Sequence, residues 1–262
     1  MPAEKETLNL YGGKYQVNFW PNSHRYQLVG EKSFLISVTA ATGMKDKSQQ
    51  LIKWALGLSR DRLIELLQKG QSITLQEVLD SHMLHEQAKE KALSIGDMVH
   101  QFAEEFGRAK VEGTSLPTVN PSWPEEVTNG VIGFLDWVKS HNVRFIQVER
   151  MVFSPTYGFV GRFDAVAEVD GKVSIIDYKT SKGIYSEYLY QIAGYWIAVS
   201  EEDGIAPEQC VVIRFDKEGT IFDPEKDVRI VSGELLEEMC EGFLALLKIK
   251  EQDKRLFAYK SN

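Results

Sequence analysis

A turn signal near the middle of the chain most constrains what this sequence can fold into. Asp170-Gly171 is a favoured two-residue hairpin turn, and it separates two apolar segments, residues 158–169 and 172–180. A strand-like segment, residues 144–153, precedes them, and a helical segment, residues 185–200, follows. The order predicts a three-stranded meander with a helix after it. Residues 209–215 alternate as a further strand, so the sequence indicates a mixed α/β domain.

The last meander strand ends in charged residues. Because side chains alternate along a strand, Val173, Ile175, Asp177 and Lys179 share one face. A face that is apolar at one end and ionic at the other runs from the interior into a cleft, where a buried charge is paired or binds a metal. If Asp164 converges on Asp177, the two carboxylates repel by roughly 4 kcal/mol at an effective dielectric of about 20. A cation between them would relieve that repulsion.

Two further residues share one face of the helix after the meander. Gln191 and Tyr195 stand at i and i+4, so their side chains are neighbours. Taken alone these residues are weak signals, because a Tyr is more often part of the core and an Asp-x-Lys tripeptide is more often a solvated charge pair. Their order along the chain is what favours a functional site.

These residues together resemble the PD-(D/E)XK nuclease superfamily, and specifically its RecB-like and phage exonuclease branch. The resemblance is close over roughly residues 90–200, and Phe163 stands where the superfamily's name has Pro, as is usual in this branch. It implies a restriction-endonuclease-like core of order α-βββ-α-β, with a mixed central sheet flanked by helices. Its motifs are Glu149, Gly161-Arg162-Phe163-Asp164, residues 175–180 and residues 191–195.

The resemblance implies a site for Mg²⁺ or Mn²⁺. Its ligands would be His100, Asp164, Asp177 and the backbone carbonyl of Tyr178, while Lys179 would orient or activate water. Asp164, Asp177 and Lys179 are therefore the expected catalytic residues. A lone histidine on an amphipathic helix is more often a polar surface or core residue, although imidazole is also a common metal ligand.

Other polar residues are assigned less directly. Gln191 and Tyr195 would organise the site and the DNA. Glu149 is a possible further metal ligand, with a salt bridge to a neighbouring arginine as its alternative. Arg162 and Lys182 are candidate phosphate contacts, which could equally be a carboxylate partner and a surface lysine. Among aromatic residues of the N-terminal part, Tyr26 and Trp54 are candidates for stacking on bases.

Composition limits the class of protein. The chain has 262 residues, 43% hydrophobic and 26% charged, so it can bury a core and is neither disordered nor fibrous. Two cysteines, Cys210 and Cys240, exclude an iron–sulfur cluster held by four thiolates and indicate no disulfide framework. No apolar run reaches the length of a membrane span and the N-terminus lacks a secretory signal, so we expect a cytoplasmic protein of a bacterium or a phage-infected cell, without a membrane partner. The net charge of −8 requires any nucleic-acid contact to be local.

The predicted organisation has two parts. Residues 1–121 would form an N-terminal β-hairpin and helical region that includes the His100 helix and packs on the core, and residues 122–262 would form the nuclease core. The hairpin is expected within residues 15–36.

Helix starts are predicted from capping motifs. Thr74-x-x-Glu77 would begin one helix, and residues 85–110 would form another. Ser122-x-x-Glu125, with Pro124 in the first turn, would open the helix before the meander.

The functional prediction is a metal-dependent DNA exonuclease that acts on single-stranded DNA with a free end, in recombination, repair or phage DNA processing. A double-strand-specific exonuclease or a structure-specific endonuclease of the same fold is an alternative. A non-catalytic DNA-binding recombination accessory protein is another, and the sequence does not identify a recombination or replication protein partner. A glycosidase also uses paired carboxylates, but it needs neither the lysine two residues after the aspartate nor the helical Gln/Tyr pair.

Overall fold

The structure is a computed structural model that describes residues 5–202, 205–218 and 222–258. The chain divides into two compact units. One unit comprises Met1–Met44 and Val99–Asn262, and the other comprises Lys45–Met98. The sequence-based boundary at residue 121 stays a prediction.

The first unit begins with a small antiparallel sheet. Strand β1 (Glu6–Leu10) pairs with β2 (Tyr15–Trp20), which pairs with β3 (Arg25–Leu28). Short 3-10 turns at Tyr11–Gly13 and Pro21–Ser23 join the strands. The sequence predicted a hairpin here but not β1, a short strand of which only Leu10 is buried.

The main sheet of the described residues is mixed, with strand order β4-β6-β7-β8-β9 and with β5 paired to β6. The β5-β6-β7 meander and the β8–β9 pair are antiparallel, whereas β4 pairs with β6 and β7 with β8 in parallel. This arrangement confirms the predicted fold class. The strands are β4 (Ile36–Ser37), β5 (Val143–Ser154), β6 (Phe159–Val169), β7 (Lys172–Lys179), β8 (Gln209–Arg214) and β9 (Val228–Val231).

Seven α-helices are found in the described residues. The long helix α3 crosses the boundary between the two units in sequence, so that its residues from Val99 onward belong to the first unit. The helices are α1 (Val38–Thr42), α2 (Ser48–Gln68), α3 (Leu75–Glu112), α4 (Glu125–Ser140), α5 (Ser186–Ser200), α6 (Pro224–Asp227) and α7 (Gly233–Ala258).

Helices cover both faces of the main sheet. On one face, Val166 and Ile175 of the meander pack with Ile192 of α5 and Phe243 of α7 in a continuous buried cluster. On the other face, a ring of α4 packs edge to face against one ring of β7 and one ring just after β8, and two rings of α3 pack edge to face against that α4 ring. Those rings belong to Phe102, Phe106, Phe134, Tyr178 and Phe215.

Two of the predicted helix starts need correction. Thr74 and Glu77 do form a reciprocal capping box, with Glu77 N–H 3.2 Å from Thr74 Oγ1 and Thr74 N–H 2.6 Å from Glu77 Oε2. The helix that begins there continues to Glu112, so the prediction of two separate helices was wrong: nothing in this polar segment breaks the backbone ladder. Ser122 does not cap α4, since α4 begins after Pro124 and the N–H of Ser122 donates to Asn120 instead.

The second unit consists of α2 and the first part of α3. Ser59 Oγ of α2 donates to the backbone carbonyl of Ser81 of α3 at 2.7 Å. Leu66 and Ser81 are each almost fully buried. Among the helices within the described residues, none combines the length and apolarity that crossing a bilayer requires.

Candidate functional site

The candidate site lies where the main sheet splits. Strand β5 pairs with β6 from Phe159 to Val169, so β4 and β7 must share the opposite edge of β6. Strand β4 pairs with residues 159 and 160, and β7 pairs with residues 165–169. Within the described part of the chain, residues 161–164 therefore have no strand partner along this edge. The gap exposes this segment of β6 to the side chains at the end of β7.

Three acidic residues are brought into one row across the meander. Val148 pairs with Ala165 and Arg150 with Phe163, which places Glu149 opposite Asp164. Ala165 pairs with Ile176, and the same register extended by one residue places Asp164 opposite Asp177. The β6–β7 ladder ends at that point, and the Tyr178 N–H donates to Asp164 Oδ2 at 2.6 Å instead.

Asp177 and Lys179 form a close ion pair at the end of β7. Lys179 Nζ lies 2.6 Å from Asp177 Oδ2, and the Asp177 side chain is 2% exposed. Among the described residues, however, Asp177 Oδ2 has no hydrogen-bond donor in suitable geometry. The short distance places the Lys179 ammonium in direct electrostatic contact with this buried oxygen. Lys179 Nζ also lies 5.0 Å from the centre of the Tyr188 ring, in cation–π geometry.

His100 reaches the same place from α3. Its Nδ1 lies 3.6 Å from Asp164 Oδ1, and its ring is 6.2 Å from the Tyr178 ring. The Tyr178 side chain points to the face of the sheet opposite to that of Asp177 and Lys179, where it packs with Phe134 and Phe215. The structure thus brings His100, Asp164, Asp177 and Lys179 to one end of the meander, together with the backbone of Tyr178.

Burial and neighbouring charges set the pKa values of these groups apart. Burial raises the pKa of Asp177 to about 6, because the Lys179 ammonium offsets only part of the cost and Asp164 adds repulsion. Burial also acts against ionisation of Asp164, but His100 and Lys179 outweigh it and hold its pKa below the usual value. The pKa values of His100 and Lys179 are both raised, since their carboxylate neighbours overcome the effect of burial. Two adjacent carboxyl groups with separated pKa values are typical of functional sites.

Glu149 is paired rather than free. Its Oε2 lies 2.7 Å from Arg162 Nε, so the structure shows the salt bridge that the sequence left as an alternative to metal binding. Burial, followed by repulsion from Asp164, raises the pKa of Glu149 to about 7 despite the guanidinium. Glu149 also has a φ of +47°, a left-handed conformation that is uncommon for a residue other than glycine and stores strain. Its neighbour Arg150 instead pairs with Glu202.

Helix α5 presents a polar stripe to the site. Gln191 Nε2 donates to the hydroxyl of Tyr195 at 2.8 Å, as expected for residues at i and i+4. Tyr195 is 3% exposed, and burial followed by repulsion from Asp177 raises its pKa well above the usual value. The pair therefore fixes a neutral hydroxyl beside the carboxylates. Lys182 lies in the loop before α5, and its ion pair with Glu218, at 3.6 Å, is exposed.

The donor set fits a divalent cation that prefers oxygen. An imidazole and two carboxylates, one of which has a buried oxygen without a hydrogen-bond donor, suit Mg²⁺ or Mn²⁺. As the side chains stand, no three His, Cys, Asp or Glu residues of ranges 5–202, 205–218 and 222–258 are grouped closely enough to hold a metal ion. Asp177 is instead engaged by Lys179, and Asp164 by His100 and the Tyr178 N–H.

Sequence reasoning missed two residues at the site. The Tyr188 ring lies below the Lys179 ammonium. Gln191 and Tyr195 follow Tyr188 by three and seven residues on α5, and this helical spacing would have predicted that Tyr188 shares their face. Glu104, four residues after His100 on α3, adds to the repulsion that raises the pKa of Glu149. It occupies the helix face of His100, although an acidic residue on a helix is usually a solvated one.

Comparison with known proteins identifies the class to which this fold and site belong. The family model of the PD-(D/E)XK nuclease superfamily matches residues 74–253, well over half of the chain. The chain belongs to this superfamily, which confirms that part of the resemblance seen in its sequence. No curated protein sequence matches the chain significantly.

Three solved structures are distantly similar to the chain. The crystal structure of SSO0001 is 18% identical with a TM-score of 0.29, over 46% of this chain and 55% of that one, so the chain spans about half of its length. The alkaline exonuclease LHK-Exo from Laribacter hongkongensis is 16% identical with a TM-score of 0.32, over 60% of this chain and 84% of that one. Its complex with dAMP has a TM-score of 0.33 at the same identity and coverage.

Proposed function

We propose that this protein is a Mg²⁺- or Mn²⁺-dependent deoxyribonuclease that hydrolyses phosphodiester bonds. The observation that carries the proposal is the Asp177–Lys179 pair at 2.6 Å, with Asp164 and His100 beside it at the split of the sheet. Membership of the PD-(D/E)XK superfamily supports it independently. The same groups argue against a non-catalytic accessory protein, since none of the expected catalytic side chains is missing.

The proposed metal ligands are Asp164, Asp177, His100 and the backbone carbonyl of Tyr178, with Glu149 as a possible additional ligand. When bound, Mg²⁺ or Mn²⁺ would stabilise charge on the phosphate and lower the pKa of a bound water. Burial raises the pKa of Asp177 to about 6 in the metal-free site, so a metal ion must compete with a proton for this carboxyl group at acidic pH.

Lys179 would position the attacking water and offset the negative charge that develops on the phosphoryl group. Burial alone would lower the pKa of Lys179, but the neighbouring Asp177 and Asp164 outweigh burial and raise it. Lys179 therefore carries a positive charge at neutral pH. Tyr188 and the Gln191–Tyr195 pair would hold the ammonium and the carboxylates in place. The 3′-oxygen would be the leaving group.

Arg162 and Lys182 would contact the phosphate backbone of the DNA. Arg162 is 49% exposed although it pairs with Glu149, and Lys182 is 81% exposed. Because the net charge of the chain is −8, attraction of the phosphate backbone must come from local cations such as these. Both assignments rest on position and charge.

We further propose exonucleolytic action on single-stranded DNA with a free end. This part rests on the resemblance of the sequence motifs to the RecB-like and phage exonuclease branch, which also suggests a role in recombination, repair or phage DNA processing. A cytoplasmic location stays a prediction from the sequence, which identifies no protein partner.

The test uses single-stranded DNA labelled at an internal position, linear and covalently closed, each with Mg²⁺, Mn²⁺ or EDTA. We expect metal-dependent release of short products from the linear strand and an intact circle. Equal cutting of both substrates would replace the exonuclease proposal with an endonuclease, and a parallel linear duplex would reveal a double-strand exonuclease. Binding without cleavage in either metal would support the accessory-protein alternative.

A further inference from the structure

A second group of charged side chains lies one strand away from Lys179. Strand β8 pairs with β7 in parallel, and Arg214, the last residue of β8, pairs with Lys179. Residues paired across neighbouring strands project from the same face of a sheet, so Arg214 shares the face of Asp177 and Lys179. Arg214 has no part in the proposed hydrolysis.

Arg214 is fixed between two carboxylates. Its Nε and Nη2 both donate to Asp227 Oδ1, Nε at 2.8 Å, and its Nη1 lies 3.5 Å from Asp216 Oδ2. Asp227 Oδ2 accepts from the Asp223 N–H at 2.9 Å, so both oxygens of this almost fully buried carboxylate have donors. Replacing a buried ion pair with apolar groups often leaves stability unchanged or higher, so stability alone does not explain such a pair. What the pair fixes is the position of β8 relative to α6.

The ion pair takes the place of a backbone contact at the end of the β8–β9 ladder. That ladder ends where Ile213 pairs with Val228, and the same register extended by one residue places Arg214 opposite Asp227. Asp227 is the last residue of α6, so its backbone belongs to the helix rather than to β9. The Arg214 guanidinium spans this position with side-chain hydrogen bonds instead. The end of β8 is thereby tied to the junction of α6 and β9.

Lys179 in turn depends on the end of β8. The β6–β7 ladder stops at Ile176, and the Tyr178 N–H goes to the Asp164 carboxylate. On the other edge of β7, pairing with β8 extends to Lys179, and the Phe215 N–H donates to the Lys179 carbonyl at 2.7 Å. Among the residues with described positions, Lys179 thus has a strand partner only in β8. A shift of the end of β8 would carry Lys179 with it.

We propose that Arg214, held by Asp227, is a positioning residue for Lys179. It keeps the end of β8 at the place where Phe215 fixes the Lys179 backbone, and so keeps the ammonium against Asp177. The inference rests on the proposed nuclease function, in which Lys179 positions the attacking water. Misplacing a reacting group by about 1 Å can lower a rate about 100-fold, so this link matters for turnover even where it adds little to stability. Arg214 acts through the backbone of β7 and not on the DNA itself.

The double variant Arg214→Met/Asp227→Asn tests the link. It removes both charges together, so no buried carboxylate loses its partner, and the amide oxygen can still accept from the Asp223 N–H. We expect the variant to fold and to keep its KM for DNA, while kcat falls by about 10- to 100-fold. Arg144→Met/Glu168→Gln, the corresponding change in an ion pair between β5 and β6, is the control and should keep full kcat. Arg214→Lys, which keeps the charge but not the paired hydrogen bonds, should lower kcat by about 3- to 10-fold.

Nuclear magnetic resonance of protein with ¹³C-labelled lysine reports the position of the Lys179 ε-CH₂ group without needing turnover. The ammonium lies 5.0 Å from the centre of the Tyr188 ring, so the ring current shifts this signal away from those of other lysines, and its loss in Lys179→Met assigns it. We expect Arg214→Met/Asp227→Asn to move the signal toward the ordinary lysine position and the control to leave it in place. A role in stability alone would not move it in a folded variant.

The outcomes separate the two proposals. A folded double variant with normal kcat, or with an unmoved Lys179 signal, would overturn the positioning role and leave the nuclease function standing. If the double variant does not fold, Arg214→Lys decides, and full kcat in that variant overturns the role. Absence of metal-dependent cleavage by the unaltered protein would overturn the proposed function, while the Lys179 signal would still show whether Arg214 holds this residue in place.

Discussion

Lys179 Nζ lies 2.6 Å from Asp177 Oδ2 in a pair where the lysine is 15% and the aspartate 2% exposed. Both charged groups are largely shielded from water, so each is stabilised mainly by the opposite charge of the other. A buried carboxylate that loses its cation must either stay charged at high cost or take up a proton. The pair therefore couples the chemistry of the site to the stability of the sheet at the end of β7.

Lys179→Met is expected to abolish cleavage while DNA binding persists. It should also lower the free energy of unfolding by about 3 kcal/mol at neutral pH, because it leaves Asp177 buried without its partner. Single-turnover cleavage, filter binding and urea denaturation measure the three quantities. Lys182→Met is the matched control, since its ion pair is exposed and should be worth no more than about 1 kcal/mol. Normal turnover by Lys179→Met would end the catalytic assignment.

Asp177→Asn should remove metal binding. The substitution keeps the size of the side chain but replaces an anionic ligand with a neutral amide, which hard divalent cations bind far less well. Titration calorimetry with Mn²⁺ is the measurement. Asp136→Asn, on the exposed side of α4, makes the same chemical change away from the site and should leave the affinity unaltered. Equal Mn²⁺ affinity in both variants would show that Asp177 is not a ligand.

Stability of the metal-free protein should fall as pH rises between about 4 and 7. The folded pKa values of Asp177, about 6, and Glu149, about 7, lie above their ordinary values of 3.8 and 4.5. The stabilisation from a raised carboxyl pKa is fully present below the unfolded pKa and is lost as pH passes through the folded one. Urea denaturation in EDTA across this range checks the sign.

Divalent metal should reverse this trend, since it binds the ionised carboxylates and its affinity rises over the same pH range. Glu149→Gln should remove the contribution of Glu149, which extends from its ordinary pKa of 4.5 to its folded pKa of about 7, and leave the contribution of Asp177, which extends from 3.8 to about 6. A metal-free stability that climbs from pH 4 to 7 would contradict the assigned pKa directions.

Much of the meander could be predicted because its signals are local. Alternation and the Asp170-Gly171 turn located β6 and β7 to within a residue of their ends, and the helical period located α5. The same periodicities placed Asp177 and Lys179 on one face and Gln191 beside Tyr195.

The split of the sheet could not be predicted. It depends on β4, a strand of two residues whose pairing with β6 leaves no pattern in the sequence. The Glu149–Arg162 pair, by contrast, joins β5 to β6 and was one of the alternatives that the sequence offered, although only the coordinates decide which arginine Glu149 meets. Long-range pairing of short segments is where sequence pattern carries least information.

Gly161→Ala tests whether close packing beneath the split matters for the fold. Its added Cβ would lie 2.7 Å from the Tyr195 ring, a distance that forces either the ring or β6 to move, so we expect a loss of about 1–3 kcal/mol in unfolding free energy. Gly133→Ala is the control, because its Cβ would meet Phe215 at an ordinary 3.8 Å and alanine favours the α4 helix. Thermal denaturation should therefore give opposite shifts for the two variants. Equal or higher stability of Gly161→Ala would show that Tyr195 is free to move, and it would remove the argument that close packing on β6 fixes this ring.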